Sequence, residues 1–248
     1  MRRRDALVIG GAMAVAIAIP PVLRRIPSDF EFEPLNGFEG FRQIKGGSVS
    51  GGADPFFGLD QTSIAPEPPA DERRISPCLE LFGPAGWSDS QLPVAIFSDF
   101  NCPYCKLLER RLTDLRDSDG AIRLIWHEMP LLGPASVRSA RAVLAARIMG
   151  AEAAARDYLS ARNLRPGPAA LRRMGEALDL DPDRLVAAAN GDEVSELLRQ
   201  SLALGRRLGI PGTPGTVIGR TLVIGAITPP DLTRLIEVER SEVQTICT

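Results

Sequence analysis

From about residue 78 onward the apolar positions fall into periodic blocks. Val94-Ala95-Ile96-Phe97 is a short unbroken apolar run, the pattern of a strand buried on both faces. Directly after it Leu108, Leu112 and Leu115 recur at helical spacing and mark one apolar stripe. Ile122 to Trp126 predicts a second strand. A long helical stretch follows, with Val137, Ala140, Leu144 and Ile148 on one stripe and Leu171, Met174 and Leu178 on another. Asp181-Pro182, a cap residue followed by proline at the first helical position, opens a further helix carrying Leu185 and Val186; Val194, Leu197, Leu198 and Leu202 mark one more. Strand character returns in Thr216-Val217-Ile218 and Thr221-Leu222-Val223-Ile224, and Gly219-Arg220 between them suits a hairpin turn. Thr228-Pro229-Pro230-Asp231 then caps a last helix with Leu232, Leu235 and Ile236. The order strand, helix, strand, helical block, strand, strand, helix predicts an α/β fold. Its sheet is partly parallel and covered by helices, with a helical insert at about residues 130–207.

The N-terminal third has a different pattern. Arg2-Arg3-Arg4 precedes an apolar, small-residue run from Ala6 to Ile19, which reads as an export signal or signal anchor over residues 1–26. The arginines in front of the run place its N-terminus in the cytoplasm and the rest of the chain on the periplasmic side of the cytoplasmic membrane. That holds whether the segment stays as an anchor or is cleaved on secretion. Residues 27–77 are rich in Pro, Gly and Ser without sustained periodicity and read as a linker. The aromatic stretches Phe30 to Phe41 and Phe56-Phe57 are unusual for one and are candidates for docking on the domain or on a partner. The globular domain is then expected over 78–248.

Composition changes this picture little. Of 248 residues, 44% are hydrophobic, which is enough for a sizeable core, and the formal net charge of −2 offers no basic field for a nucleic acid. The four cysteines, Cys78, Cys102, Cys105 and Cys247, are too few for a disulfide-dense scaffold. One C-x-x-C pair with no second pair, and His127 as the single histidine, argue against a structural zinc site. No cofactor is expected.

The chemistry concentrates in Cys102-Pro103-Tyr104-Cys105, at the junction between the first strand and its helix. A sulfur at a helix N-terminus meets unpaired backbone N–H groups and the positive end of the helix dipole, which stabilise a thiolate. Cys105, one turn on, is placed to form a reversible disulfide with Cys102 and to resolve a mixed disulfide there. Pro103 fits the first helical turn, and Pro103 and Tyr104 help set the redox poise. Gly209-Ile210-Pro211-Gly212-Thr213-Pro214 is the second clue. A Thr-Pro before a strand invites a cis peptide bond, and next to the redox pair it would offer the Thr213 backbone to an extended substrate in β-fashion.

The runs Phe97-Ser98-Asp99-Phe100-Asn101-Cys102-Pro103-Tyr104-Cys105, Glu128-Met129-Pro130-Leu131-Leu132-Gly133 and Gly209-Ile210-Pro211-Gly212-Thr213-Pro214 occur in this order. With the helical insert between the last two, residues 90–240 resemble the DsbA-like family of bacterial thiol–disulfide oxidoreductases. The resemblance implies a thioredoxin-like fold with a helical domain inserted between the two halves of the sheet. It also implies Cys102 as nucleophile, Cys105 as resolving cysteine and Pro214 as cis-proline. Two departures stand out. Family members often carry a buried Glu six residues before the first cysteine, where this chain has Ile96. The dipeptide Pro103-Tyr104 differs from the Pro-His of the strongest oxidases.

The expected function is thiol–disulfide exchange with exported proteins. The first reading is a disulfide-forming oxidase and the alternative an isomerase or reductase on the same fold; a non-enzymatic chaperone or assembly factor is the second alternative. The expected partners are cysteine-containing exported proteins and a membrane redox partner that resets the pair, with the protein itself a monomer. Cys78 and Cys247 flank the domain and either bridge it or remain two free thiols. His127 is expected as an exposed strand-end residue, and Arg138, Arg141, Arg147 and Arg156 as a solvated helix face.

Overall fold

The computed structural model describes residues 30–44, 47, 49–50, 76–84, 91–162, 164 and 167–242. Residues 1–26, expected as an export signal or signal anchor, lie outside them, as do Phe56, Phe57 and Cys247. Among the described residues no helix is long and apolar enough to cross a membrane.

Six strands form one mixed sheet: β1 (Glu33–Pro34), β2 (Arg42–Ile44), β3 (Leu92–Ser98), β4 (Ile122–Glu128), β5 (Gly215–Ile218) and β6 (Thr221–Ile224), in the spatial order β1-β2-β6-β5-β3-β4. β3 is buried along its whole length, as its unbroken apolar run requires. It pairs parallel with β4 and antiparallel with β5, and β5 and β6 form the hairpin around Gly219-Arg220. Eight helices accompany the sheet among the described residues. They are α1 (Pro77–Phe82), α2 (Pro103–Asp119), α3 (Pro134–Ile148), α4 (Glu152–Ala161), α5 (Pro168–Ala177), α6 (Pro182–Asn190), α7 (Asp192–Arg207) and α8 (Pro229–Ser241).

Strand alternation sorts the core into two sheet faces. Val94 and Ile96 of β3, Ile218 of β5 and Val223 of β6 point to the face covered by α2 and α8, where they meet Leu108, Leu112, Leu232 and Leu235. Ala95, Phe97, Val217 and Leu222 point to the other face, against Leu81 and Phe82 of α1 and Leu204 and Leu208 at the end of α7. Helices α3 to α7 connect β4 to β5 and share a third core around Val143, Leu144, Met174 and Leu185, which Phe100 joins from the cysteine loop. Asp181 caps α6 by accepting from the N–H groups of Asp183 and Arg184, as its position before Pro182 suggests.

Three readings of the sequence need correction. Residues 30–44, expected as linker on composition, belong to the folded body. β2 adds to the sheet in parallel with β6, and Leu35, Phe38 and Phe41 are buried against Phe82 and Leu208. Arg42 fixes the stretch by donating to Glu239 at 2.6 Å and to the Thr221 hydroxyl at 2.9 Å. Aromatic content was the better guide here, because two buried rings, Phe38 and Phe41, with Leu35 and Ile44 outweigh the entropy of ordering a short segment. Three of the insert's arginines, Arg141, Arg147 and Arg156, are likewise structural. Arg141 donates to the Ala189 carbonyl and the Ser195 hydroxyl, tying α3 to the α6–α7 corner. Arg147 donates to the Trp126 carbonyl and to Glu152. Arg156 is 6% exposed, pairs with the buried Glu128 at the end of β4, and lies over the Trp126 ring. Val137, placed on the apolar stripe of α3 by spacing, is 37% exposed.

The Glu128–Arg156 pair generates a stability prediction. Arg156→Met leaves a buried carboxylate without its counter-charge and is expected to cost about 3–5 kcal/mol in chemical denaturation. Adding Glu128→Leu is expected to restore most of the loss. Equal stability of the single and double variants would contradict this account of the pair.

Candidate redox site

The site forms where β3 hands over to α2. Ser98 ends the strand, and three residues later the backbone turns so that Cys102, in an extended conformation, becomes the N-cap of α2 with Pro103 in its first turn. The turn is held by Asp99, which is buried. Its carboxylate accepts from the N–H groups of Asn101 (2.8 Å), Leu131 (2.8 Å) and Leu132 (2.9 Å), so one side chain joins the cysteine loop to the loop after β4. Asn101 donates to the Ser136 hydroxyl and ties the same loop to α3.

The two sulfurs sit in contrasting surroundings. Both thiols are free in this form of the protein. Cys102 Sγ accepts from the Cys105 backbone N–H at 3.1 Å and lies 3.4 Å from the Thr213 carbonyl, toward which its thiol is directed. The neighbouring Cys105, first of all, holds the Cys102 thiolate against the cost of burial and lowers its pKa from 9.0 to about 6, with its backbone N–H directed at the sulfur. For Cys105, burial and then the hydrogen bond to Cys102 push the thiol pKa upward. A shared proton thus rests on Cys105 and leaves the charge on Cys102.

Thr213 and Pro214 face this pair, joined by a cis peptide bond. Of the residues proposed from sequence, the fold therefore brings Cys102, Cys105, Thr213 and Pro214 together, with Pro103 and Tyr104 on the exposed side of the helix start. Tyr104 is 39% exposed beside a Cys102 that is wholly covered. Cys78 lies in α1 and is disulfide-bonded; Cys247, the remaining cysteine of the chain, is outside the described residues.

His127 is neither exposed nor at the site. It projects from the opposite face of the sheet, stacks on Phe97 with ring centroids 4.7 Å apart, and hydrogen-bonds through Nε2 to the Leu81 carbonyl at 2.9 Å. Burial depresses its pKa to about 4, so the ring is neutral and Nε2–H is the donor. It helps line a cavity of about 410 Å³ beside α1 and α7, which contains none of the cysteine-site residues.

Two residues at the site were not singled out from sequence. Glu109 lies one turn beyond Cys105 on α2 and is 9% exposed. Its carboxylate accepts a hydrogen bond from the Ser98 hydroxyl, and burial raises its pKa to about 6. Ile96, at the position where related chains often carry a buried acid, is fully buried among aliphatics; Glu109 supplies a buried acid from the helix instead. Its spacing of four from Cys105 was the available signal. Ser50, in a Gly/Ser run with no periodicity, gave none. Its backbone pairs with Thr213 through Ser50 N–H to the Thr213 carbonyl (2.7 Å) and Thr213 N–H to the Ser50 carbonyl (2.9 Å).

Comparison with known proteins agrees with this geometry. The family model of the DSBA-like thioredoxin domain matches residues 93–237. Among solved structures, a thioredoxin-like oxidoreductase from Silicibacter pomeroyi is 32% identical, covering 62% of this chain and 90% of that one, with a TM-score of 0.57. The thiol-disulfide exchange protein alpha-DsbA2 from Wolbachia pipientis is 25% identical over 64% of this chain and 90% of its own, with a TM-score of 0.56. The catalytic domain of Proteus mirabilis ScsC is 26% identical over 66% and 94%, with a TM-score of 0.57. A curated relative, the Na(+)/H(+) antiporter NhaA 3 of Salinispora tropica, is 35% identical over 101 residues; the match spans 40% of this chain and only 16% of the antiporter. With more than half of its length matched and the cysteine pair, cis-proline and inserted helices in place, the chain belongs to the DSBA-like thioredoxin domain family of thiol–disulfide oxidoreductases.

Proposed function

We propose that the protein donates disulfides to cysteine-containing exported proteins, with Cys102 as the exchanging sulfur and Cys105 as its buried partner. The observation that carries this reading is the asymmetry of the pair, a Cys102 thiolate favoured down to about pH 6 beside a Cys105 held protonated. A stabilised thiolate makes the reduced form the comfortable one, so the disulfide form is an oxidant.

In the oxidised protein a client thiolate attacks Cys102 Sγ. The Cys102–Cys105 bond breaks, and Cys105 leaves with the electron pair and takes up a proton. Glu109, a buried carboxyl one turn away with a pKa of about 6, is placed to buffer that proton. A second client thiolate then attacks the client sulfur of the mixed disulfide, and Cys102 leaves as the stable thiolate. Two electrons pass from client to protein, and a membrane redox partner restores the disulfide. Thr213 offers its N–H and carbonyl to the extended client, so that the main chain supplies affinity without demanding a sequence. Pro103 and Tyr104 tune the poise at the rim of the site.

An oxidising compartment outside the cytoplasmic membrane suits this reading, and the disulfide at Cys78 supports it. We assign Cys247 as the partner of Cys78, a bridge that closes nearly the whole domain and would stabilise it by about 4–5 kcal/mol in the chain-entropy model. Non-reducing peptide mapping is expected to recover the two cysteines as one linked pair; an alkylatable Cys247 in the oxidised protein would rule it out.

For the exchange itself, Cys102→Ser is expected to abolish oxidation of a reduced client, and Cys105→Ser to accumulate mixed disulfides at Cys102. An unaltered rate in Cys102→Ser would remove the mechanism. The pKa also fixes a pH dependence. A folded-state value depressed from 9.0 to about 6 stabilises the reduced protein fully above the ordinary thiol range, and that stabilisation is lost as pH falls through about 6. The oxidised protein lacks the titrating group. Its melting temperature relative to the reduced form is therefore expected to rise as pH is lowered from about 8 to about 5, and a constant gap would contradict the assigned thiolate.

A further inference from the structure

Cys102 has to meet a sulfur on another protein, yet it is 0% exposed, as is Thr213. What lies on Thr213 is the chain's own Ser50, with Val49 against the neighbouring Gly212. Ser50 and Thr213 exchange both backbone hydrogen bonds, the pairing an incoming client strand would make at the same place. The seat is shaped for this close approach. A Cβ on Gly212 would stand 2.8 Å from the Ser50 carbonyl oxygen and 3.3 Å from Val49 Cβ, and a Cβ on Gly47 would overlap the Ala226 carbonyl. β2 leads into the seat, fixed in register beside β6 by its parallel pairing and by Arg42 on Glu239 and Thr221. The Ser50 side chain is also among the neighbours that lower the pKa of Cys102. Serine is the oxygen counterpart of cysteine and cannot exchange.

We propose that Ser50 occupies the position of the client cysteine, so that Val49–Ser50 is a resident pseudosubstrate that a client chain must displace from Thr213 before exchange. The inference rests on the exchange reading above. It also defines the client: an extended segment that can present both backbone hydrogen-bonding groups of its cysteine to Thr213, beside a residue small enough to pass over Gly212.

Two variants of the full chain test it. Ser50→Pro removes the N–H donated to the Thr213 carbonyl. It is expected to raise kcat/KM for a reduced cysteine-containing peptide about three- to tenfold through a lower KM, since a competitor held by one or two net hydrogen bonds is lost. A segment that merely supported the site would instead lower kcat/KM on release. Ser50→Cys, a near-isosteric change, is made together with Cys105→Ser and treated with glutathione disulfide. Cys102 thiolate attacks the glutathione disulfide and releases one glutathione. The introduced thiol then attacks Cys102 Sγ and releases the second. Peptide mapping is expected to find residue 50 linked to Cys102, and no such link for Val49→Cys, whose side chain points the other way along an extended segment. An unchanged or raised KM in Ser50→Pro, or a missing link in Ser50→Cys, overturns the proposal. Turnover of the unaltered protein separates this outcome from failure of the exchange reading, in which no client is oxidised at all, whereas the cross-link depends only on position.

Discussion

The site depends on one contact, the backbone N–H of Cys105 directed at the sulfur of Cys102 across the first turn of α2. A helix start leaves its first N–H groups without partners, and a sulfur in the cap position satisfies one of them while taking on negative charge. The same helix carries Cys105 into the core, where burial keeps its proton. Two chemically identical side chains three residues apart thus acquire opposite tendencies from geometry alone.

The rest of the fold holds this contact in place from three directions. β3, buried along its length, fixes the strand that ends at Ser98, and Asp99 clamps the turn after it to the loop beyond β4. The β5–β6 hairpin brings Thr213 and Pro214 against Cys102 although they lie more than a hundred residues further along the chain. The inserted helices reach the site through Phe100 and Asn101, while the buried Glu128–Arg156 pair braces the insert against β4. Ser98 and Glu109 add a buried polar contact beneath the cysteines.

Much of this was legible in the sequence because it rests on local rules. The unbroken run Val94–Phe97, the leucine stripe of α2 and the capping at Asp181 and Thr228 each correspond to an element where periodicity placed one. The C-x-x-C pair and Thr213-Pro214 were visible as motifs, and the pairing of β3 with β5 is what brings them together. The parts that were missed are those decided by tertiary partners. Arg156 reads as an exposed helical arginine until Glu128 is known to lie beneath it. His127 reads as a strand-end residue until Leu81 and Phe97 enclose it. Phe38 and Phe41 sit in a stretch whose glycine and proline content suggests a linker, and only the waiting face of the sheet turns them into core. Ser50 is the extreme case, a residue in a Gly/Ser run whose position comes entirely from pairing with Thr213.

The reduction potential of the Cys102/Cys105 pair in the full chain, measured by equilibration with a glutathione buffer, tests the central claim most directly. The proposed disulfide-donating role predicts a potential near or above about −150 mV. A value near or below about −220 mV would contradict it, because the dithiol would then be the electron-donating form, suited to reduction or isomerisation.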